Sequence, residues 1–370
     1  MFSARFLFLA AGVAALAASC KKPDINDYEI PTTYNFANVN YSGQTARLSM
    51  LTELSTLVKS ANTPNAAALD ATVLKNMYRN ENAPFAEAGL NTSGKQLRDK
   101  TAPAVQDAME DLLDAVATAS ASTSVTTPSN GTAGVVSNNA GDKTYLLNAN
   151  GVELAQIIEK GIMGACFYYQ ATAVYLGEGK MNVDNETVTE GEGTAMEHHW
   201  DEAFGYFGVP IDFPVNTNGL LYWGKYSNAR NTLLATNGDL MNAFLKGRAA
   251  ISNKDIDTRD LAIADVRRVW ELVCVSTAIS YLNVAKANVG VDAGVYHHAA
   301  SEAYAFVWSL KFGGAPRVTS AQVDALLVLL ADSADPLNAN LYPTTANDIQ
   351  GVIDALVGYY PAVANVKDQL

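Results

Sequence analysis

The chain of 370 residues holds four histidines, and they fall as two adjacent pairs, His198-His199 and His297-His298. The first pair reads Glu197-His198-His199-Trp200-Asp201-Glu202-Ala203, the second Tyr296-His297-His298-Ala299-Ala300-Ser301-Glu302-Ala303. An offset of 100 residues lays His198 on His298, Glu202 on Glu302 and Ala203 on Ala303, as a degenerate internal duplication would. At about 100° per residue, positions i and i+4 of a helix differ by only about 40° around its axis. Each segment, if helical, therefore presents an imidazole and a carboxylate on one face. Two such faces meeting across a bundle would bring His198, Glu202, His298 and Glu302 together, with His199 and His297 as further candidates. That is a nitrogen and oxygen donor set suited to a divalent metal such as iron or zinc. Two other uses of the same residues stay open: each Glu orienting its His by a hydrogen bond, or both pairs forming buried polar networks that fix helix register.

Several chemistries are unsupported. His-Glu-x-x-His does not occur, and the residues three before each His are Ala195, Met196, Gly294 and Val295, so the Glu-x-x-His pairs of di-iron bundles are missing too. There is no Gly-x-Ser-x-Gly elbow and no phosphate loop. Proteolysis would need a general base, for which Glu202 and Glu302 are the candidates. The acidic stretch from Gly177 to Gly193 lacks the ligand ladder of a calcium loop and reads as solvated. With 25 Lys and Arg against 38 Asp and Glu, the net charge is −13, which argues against a nucleic-acid partner.

The elements that would position these residues begin after a leader. Arg5, the apolar run Phe6 to Ala18 and the small residues before Cys20 read as a signal peptide over residues 1–19, too short to span a membrane. Leu16-Ala17-Ala18-Ser19-Cys20 looks like a lipobox, with Ala17 where Leu is usual, so Cys20 is expected to carry a lipid that joins the chain to a membrane. Residues 20–44 read as a tether, with Tyr34, Phe36 and Tyr41 expected to pack on the body. The body, 45–370 in approximate halves 45–210 and 220–370, is expected to be all-α. Helical periodicity starts at Thr45 and recurs over Ala66 to Arg79, Leu97 to Ala119, a stretch from Leu154 to Tyr168, Thr194 to Phe207, Gly224 to Ser252, Asp257 to Asn288, Val295 to Phe312, Thr319 to Ala331 and Ala346 to Gly358. Thr118 to Asp142, rich in Ser, Thr, Asn and Gly, reads as a long surface loop. Cys166 and Cys274 lie in apolar helical stretches and are expected to pack as small hydrophobes rather than bond to each other. Trp200, Tyr206, Phe207, Trp223 and Tyr226 are expected in the core near the Gly208 to Pro214 turn, while Arg230, Arg267 and Arg268 are candidate partners for clustered carboxylates.

The lipidated leader, helical body and His199-x-x-Glu202 element within a duplicated scaffold resemble the imelysin-like family, envelope proteins linked to iron acquisition and first described as peptidases. That family has Gly two residues before the His, where this chain has Glu197. Tyr34-Asn35-Phe36, Tyr41-Ser42-Gly43-Gln44, Asn91 to Leu97, Glu197 to Phe207 and Ser301-Glu302-Ala303 more specifically resemble an uncharacterised group of Bacteroidota envelope lipoproteins, defined by sequence rather than by a reaction. The resemblance implies pseudo-duplicated helical bundles with a site at their junction. It implies metal binding at an outer-membrane lipoprotein, with a metallopeptidase or a surface interaction protein as the alternatives. Lys21 and Lys22 do not resemble the acidic export tag of surface lipoproteins in that group, which favours the periplasmic side.

Overall fold

The computed structural model describes residues 28–124 and 127–370. The signal peptide, Cys20 and the first part of the tether lie outside the described residues. Among the described residues the chain is helical apart from one small hairpin, and the all-α expectation holds. In chain order the elements are α1 (Ser42–Ser60), α2 (Ala71–Arg79), α3 (Ala88–Asn91), α4 (Gln106–Ser120), strands β1 (Gly134–Ser137) and β2 (Thr144–Leu147), α5 (Leu154–Ile162), α6 (Glu178–Met181) and α7 (Ala195–Gly205). They continue with α8 (Tyr222–Leu234), α9 (Thr236–Ser252), α10 (Ile256–Asn288), α11 (Ala293–Ser309), α12 (Ser320–Ala331) and α13 (Ala346–Tyr359).

The 33-residue α10 is about 50 Å long and packs against α8, α9, α11 and α13. Helix α11 lies on α5 and α12, while α7 lies on α1 and α9. One contiguous apolar core runs through all of them, from Tyr34 to Val363, so the two approximate halves share it. The tether joins that core: the Tyr34 ring stacks on Phe204 with centroids 3.7 Å apart and planes 6° from parallel. Trp200, Tyr206, Phe207 and Trp223 are buried with it.

Four local expectations need correction. The Thr118 to Asp142 stretch is not simply a loop: β1 and β2 pair antiparallel, Val135 opposite Leu146, and these two pack with Ala61 and Ala119 in a small second cluster. Strands of four residues are too short for alternation to stand out in the sequence. The Gly224 to Ser252 helix is two helices, broken where Ala235 takes φ +54°. There the Thr236 hydroxyl donates to the Ser227 carbonyl at 2.8 Å and the Ser227 hydroxyl to Asn237 at 2.9 Å, a buried clasp that folds α9 back on α8. Residues 98–105 form two 3-10 turns before α4, because Pro103 holds Ala102 extended. Finally α5 does not run on as an α-helix but widens into π-helical turns over Met163–Tyr168 and Gln170–Tyr175.

Cys166 and Cys274 are buried and unbonded. Burial pushes the Cys166 thiol up to about 12, and the Cys274 thiol donates to the Phe306 carbonyl at 3.2 Å. Arg267 caps the Thr172 and Leu176 carbonyls and Arg268 pairs with Asp265 on an exposed helix face; neither serves the histidine sites.

Candidate functional site

Both histidine motifs lie on helices, as their spacing predicts, but the structure gives them different surroundings. Helix α7 starts at a capping box in which Thr194 and Glu197 satisfy each other's backbone N–H groups. One turn on, His199 Nδ1 is 3.0 Å from Glu202 Oε2, and His198 Nε2 is 3.9 Å from the same oxygen. The other oxygen, Oε1, accepts from Gln44 Nε2 of α1 at 3.0 Å. This contact needs α1 and α7 almost touching, which Gly205 permits: a Cβ there would stand 2.6 Å from Tyr41 Cβ and 2.9 Å from Gln44 Cβ. Burial pushes the Glu202 carboxyl up, but the bonds from His199 and Gln44 hold it below its ordinary value, so it is an anion at neutral pH. Tyr175, at the end of the π-helical run, faces His199 with ring centroids 6.0 Å apart. Widened turns of this kind recur at functional sites.

Gln44, His198 and Glu202 form one wall of a cleft of about 150 Å³, whose lining does not include His199 or Tyr175. Arg47, Lys95, Lys100 and Glu192 line the rest. Arg47 is buried and held by the Gln96 carbonyl at 2.6 Å and the Gly43 carbonyl at 3.2 Å. Apart from His198, the lining carries three positive and two negative charges, a local cationic excess on a chain of net charge −13.

The α11 motif faces inward instead. His298 Nδ1 lies 2.6 Å from Oε2 of Glu153, a carboxylate with no solvent exposure that also accepts from Asn62 and Gln156. Tyr145 of β2 stacks on the His298 ring at 4.5 Å. Glu302 turns to Lys160, with Oε1 2.8 Å from Nζ. Lys160 also holds Glu159 at 2.8 Å, and Glu159 pairs onward with Lys59. So the structure brings His198, His199 and Glu202 together, whereas His298 and Glu302 bond to different partners, Glu153 and Lys160. Among the described residues no group of three or more His, Cys, Asp or Glu side chains is arranged to hold a metal ion.

His297 sits apart from both clusters, packed at 4.9 Å against the Tyr342 ring. Burial pushes its imidazole down to about 4. The unfolded chain binds that proton near pH 6.5 and the folded chain does not, so stability should fall as pH drops from 6.5 toward 4. The expected loss from this one group is on the order of 3 kcal/mol. His297→Gln should flatten that part of the pH profile, as measured by urea unfolding between pH 4 and 7; an unchanged slope would exclude the assignment.

Glu197, the departure from the imelysin pattern, has a structural task. Besides capping α7 it accepts from Arg248 at 2.6 Å. Arg248 Nε also meets Asp201 at 2.9 Å, and Tyr34 donates to the same Asp201 oxygen at 2.7 Å. Sequence reasoning missed this cluster, and it missed Glu153, Lys160, Arg47, Lys95, Lys100 and Tyr175. The one available signal was the Tyr41 to Gln44 and Asn91 to Leu97 stretches, quoted above without roles, which supply Gln44 and Lys95.

Residues 31–337 match the family described as Domain of unknown function (DUF4856). The chain belongs to that family. Comparison with curated proteins and with solved structures finds no match. The DUF4856 match begins just before Tyr34, which is bonded to Asp201 of α7, and runs through both histidine motifs. It therefore includes the cleft and the buried network together.

Proposed function

We propose that this DUF4856 protein is a lipid-anchored envelope protein that captures a metal ion carried by an anionic ligand, in the cleft formed by α1, α7 and the Lys95 to Lys100 segment. The observation that carries the reading is His198 and Glu202 side by side in the wall of a cleft otherwise rich in cations, with His199 bonded to the same Glu202 oxygen from outside the lining. One imidazole and one carboxylate are donors for iron or zinc, too few to hold a bare ion but able to add to the ligands that a chelate brings. Arg47, Lys95 and Lys100 repel a bare cation but attract the carboxylates of a chelate. The likeness to imelysin-like envelope proteins supports the same cargo. Cys20 supplies the lipid, and Lys21 and Lys22 favour the periplasmic face of the outer membrane.

Capture rather than turnover is the reading we adopt for Glu202, the nearest candidate base. Its oxygens are engaged by Gln44 and His199, which fixes the orientation of the carboxylate. The contribution of His298, Glu302 and His297 in this reading is to the fold, through Glu153, Lys160 and Tyr342.

The test is calorimetric titration of the full chain with ferric citrate and with citrate alone. Ferric citrate should bind saturably and at least about tenfold more tightly than citrate, a difference of about 1.4 kcal/mol. Glu202→Gln should remove that difference. Equal affinities for the two ligands, or no saturable binding of either, would contradict the proposal.

A further inference from the structure

A second cleft, of about 260 Å³, opens between the C-terminal half of α1 and the start of α8. Its floor is the outer end of the buried charge chain: Lys59 of α1 pairs with Glu159, which Lys160 holds from beneath. Lys225 lines the opposite side and makes no ion pair among the described residues. The Ser55 hydroxyl is the notable group. Ser55 is only 7% exposed, it lines the cleft, and its Oγ has no hydrogen-bond partner. A helical serine ordinarily bonds back to the carbonyl four residues earlier, and a buried hydroxyl left unpaired costs about 1–3 kcal/mol. Tyr222 completes the wall in a left-handed backbone conformation, φ +41°, which is costly for an aromatic residue. That conformation puts its hydroxyl 2.9 Å from Thr52 Oγ1 and its ring over the cleft beside Tyr226.

We propose that this cleft is a second binding site, for a small organic monocarboxylate whose anion is held by Lys225, Lys59 and the Ser55 hydroxyl and whose body lies against Tyr222 and Tyr226. Two ammonium groups and an unpaired hydroxyl around one hollow favour an anion. Lys160, behind the Glu159 carboxylate, is matched by Glu302, so the lining charges of Lys59, Lys225 and Glu159 sum to one positive charge, which one added negative charge balances. The lining contains no guanidinium, the usual bidentate partner of phosphate. The tyrosine rings and Leu221 offer apolar contact to a flat body.

Benzoate and benzamide share a shape and differ in charge, which makes them the probes for titration of the full chain. Benzoate should bind with Kd below about 1 mM and benzamide at least tenfold more weakly. Lys225→Gln, at an exposed position that the fold does not need, should weaken benzoate at least fivefold, and Ser55→Ala at least threefold. His198→Ala should leave benzoate binding unchanged, which separates this site from the metal-chelate cleft. Equal binding of benzamide, an unaltered Kd in Lys225→Gln, equal affinity for inorganic phosphate, or no saturable binding up to 10-fold that limit would each overturn the proposal.

Discussion

Arg248→Met is expected to destabilise the fold by about 3–5 kcal/mol, a fall in Tm of roughly 5 °C for a chain of this size. The guanidinium is 1% exposed and is shared between Asp201, which is wholly buried, and Glu197. It also reaches the Ala37 carbonyl at 3.3 Å, so the same group fastens the tether. Removing it leaves Asp201 as a buried carboxylate with Tyr34 as its remaining donor. Burial already pushes the Asp201 carboxyl up to about 7 against the opposing pull of Arg248. Without Arg248 that pull is gone, and the folded chain would keep a proton on Asp201 that the unfolded chain releases near pH 4. The folded state then binds more protons than the unfolded state, so the variant should lose stability as pH rises from about 5 toward 8. Chemical unfolding at the two ends of that range checks both the size and the sign. A variant within 1 kcal/mol of the parent at both pH values would show that Arg248 does not hold the cluster.

Lys160→Met should cost a similar amount, about 3–5 kcal/mol, for a related reason. The ammonium is 4% exposed and stands between Glu159 and Glu302, each within 2.8 Å. Glu159 keeps Lys59 in the variant, so the uncompensated charge is that of Glu302. The double variant Lys160→Met/Glu302→Leu should therefore recover much of the loss, because it removes the stranded charge along with its partner. Thermal unfolding of the parent, both single variants and the double variant measures that coupling. Additive losses would mean that Lys160 and Glu302 act independently and that the ion pair is not the connection.

The two histidine motifs show what sequence can and cannot specify here. The i,i+4 spacing of His198 with Glu202 and of His298 with Glu302 correctly puts each pair on a helix, and the cap at Thr194 is readable as Thr followed three residues later by Glu197. Partner choice is not local. Glu202 is reached from α1 by Gln44, 158 residues away, and His298 is reached from the start of α5 by Glu153, 145 residues away. Spacing within one helix is blind to such contacts, so two segments alike in sequence were expected to meet and instead face different neighbours. Lys160 was hidden for another reason: in an amphipathic run of Leu154, Ile157, Ile158 and Ile162, a lone lysine reads as solvent-facing, whereas here it is buried as a counter-ion. The helix break at Ala235 was equally hidden, since Ala favours helix and the Ser227–Asn237 clasp that overrides it is a tertiary contact.

The central claim is a division of labour: the α7 histidines bind cargo and the α11 histidines hold the fold. The most direct measurement compares His198→Ala with His298→Ala for ferric citrate affinity and for Tm in the same preparations of the full chain. The account predicts that His198→Ala weakens ferric citrate at least tenfold with Tm nearly unchanged. It predicts that His298→Ala, which strips Glu153 of its imidazole partner, keeps the affinity and lowers stability by about 1–3 kcal/mol. Loss of affinity in both variants, or loss of stability in His198→Ala alone, would contradict it.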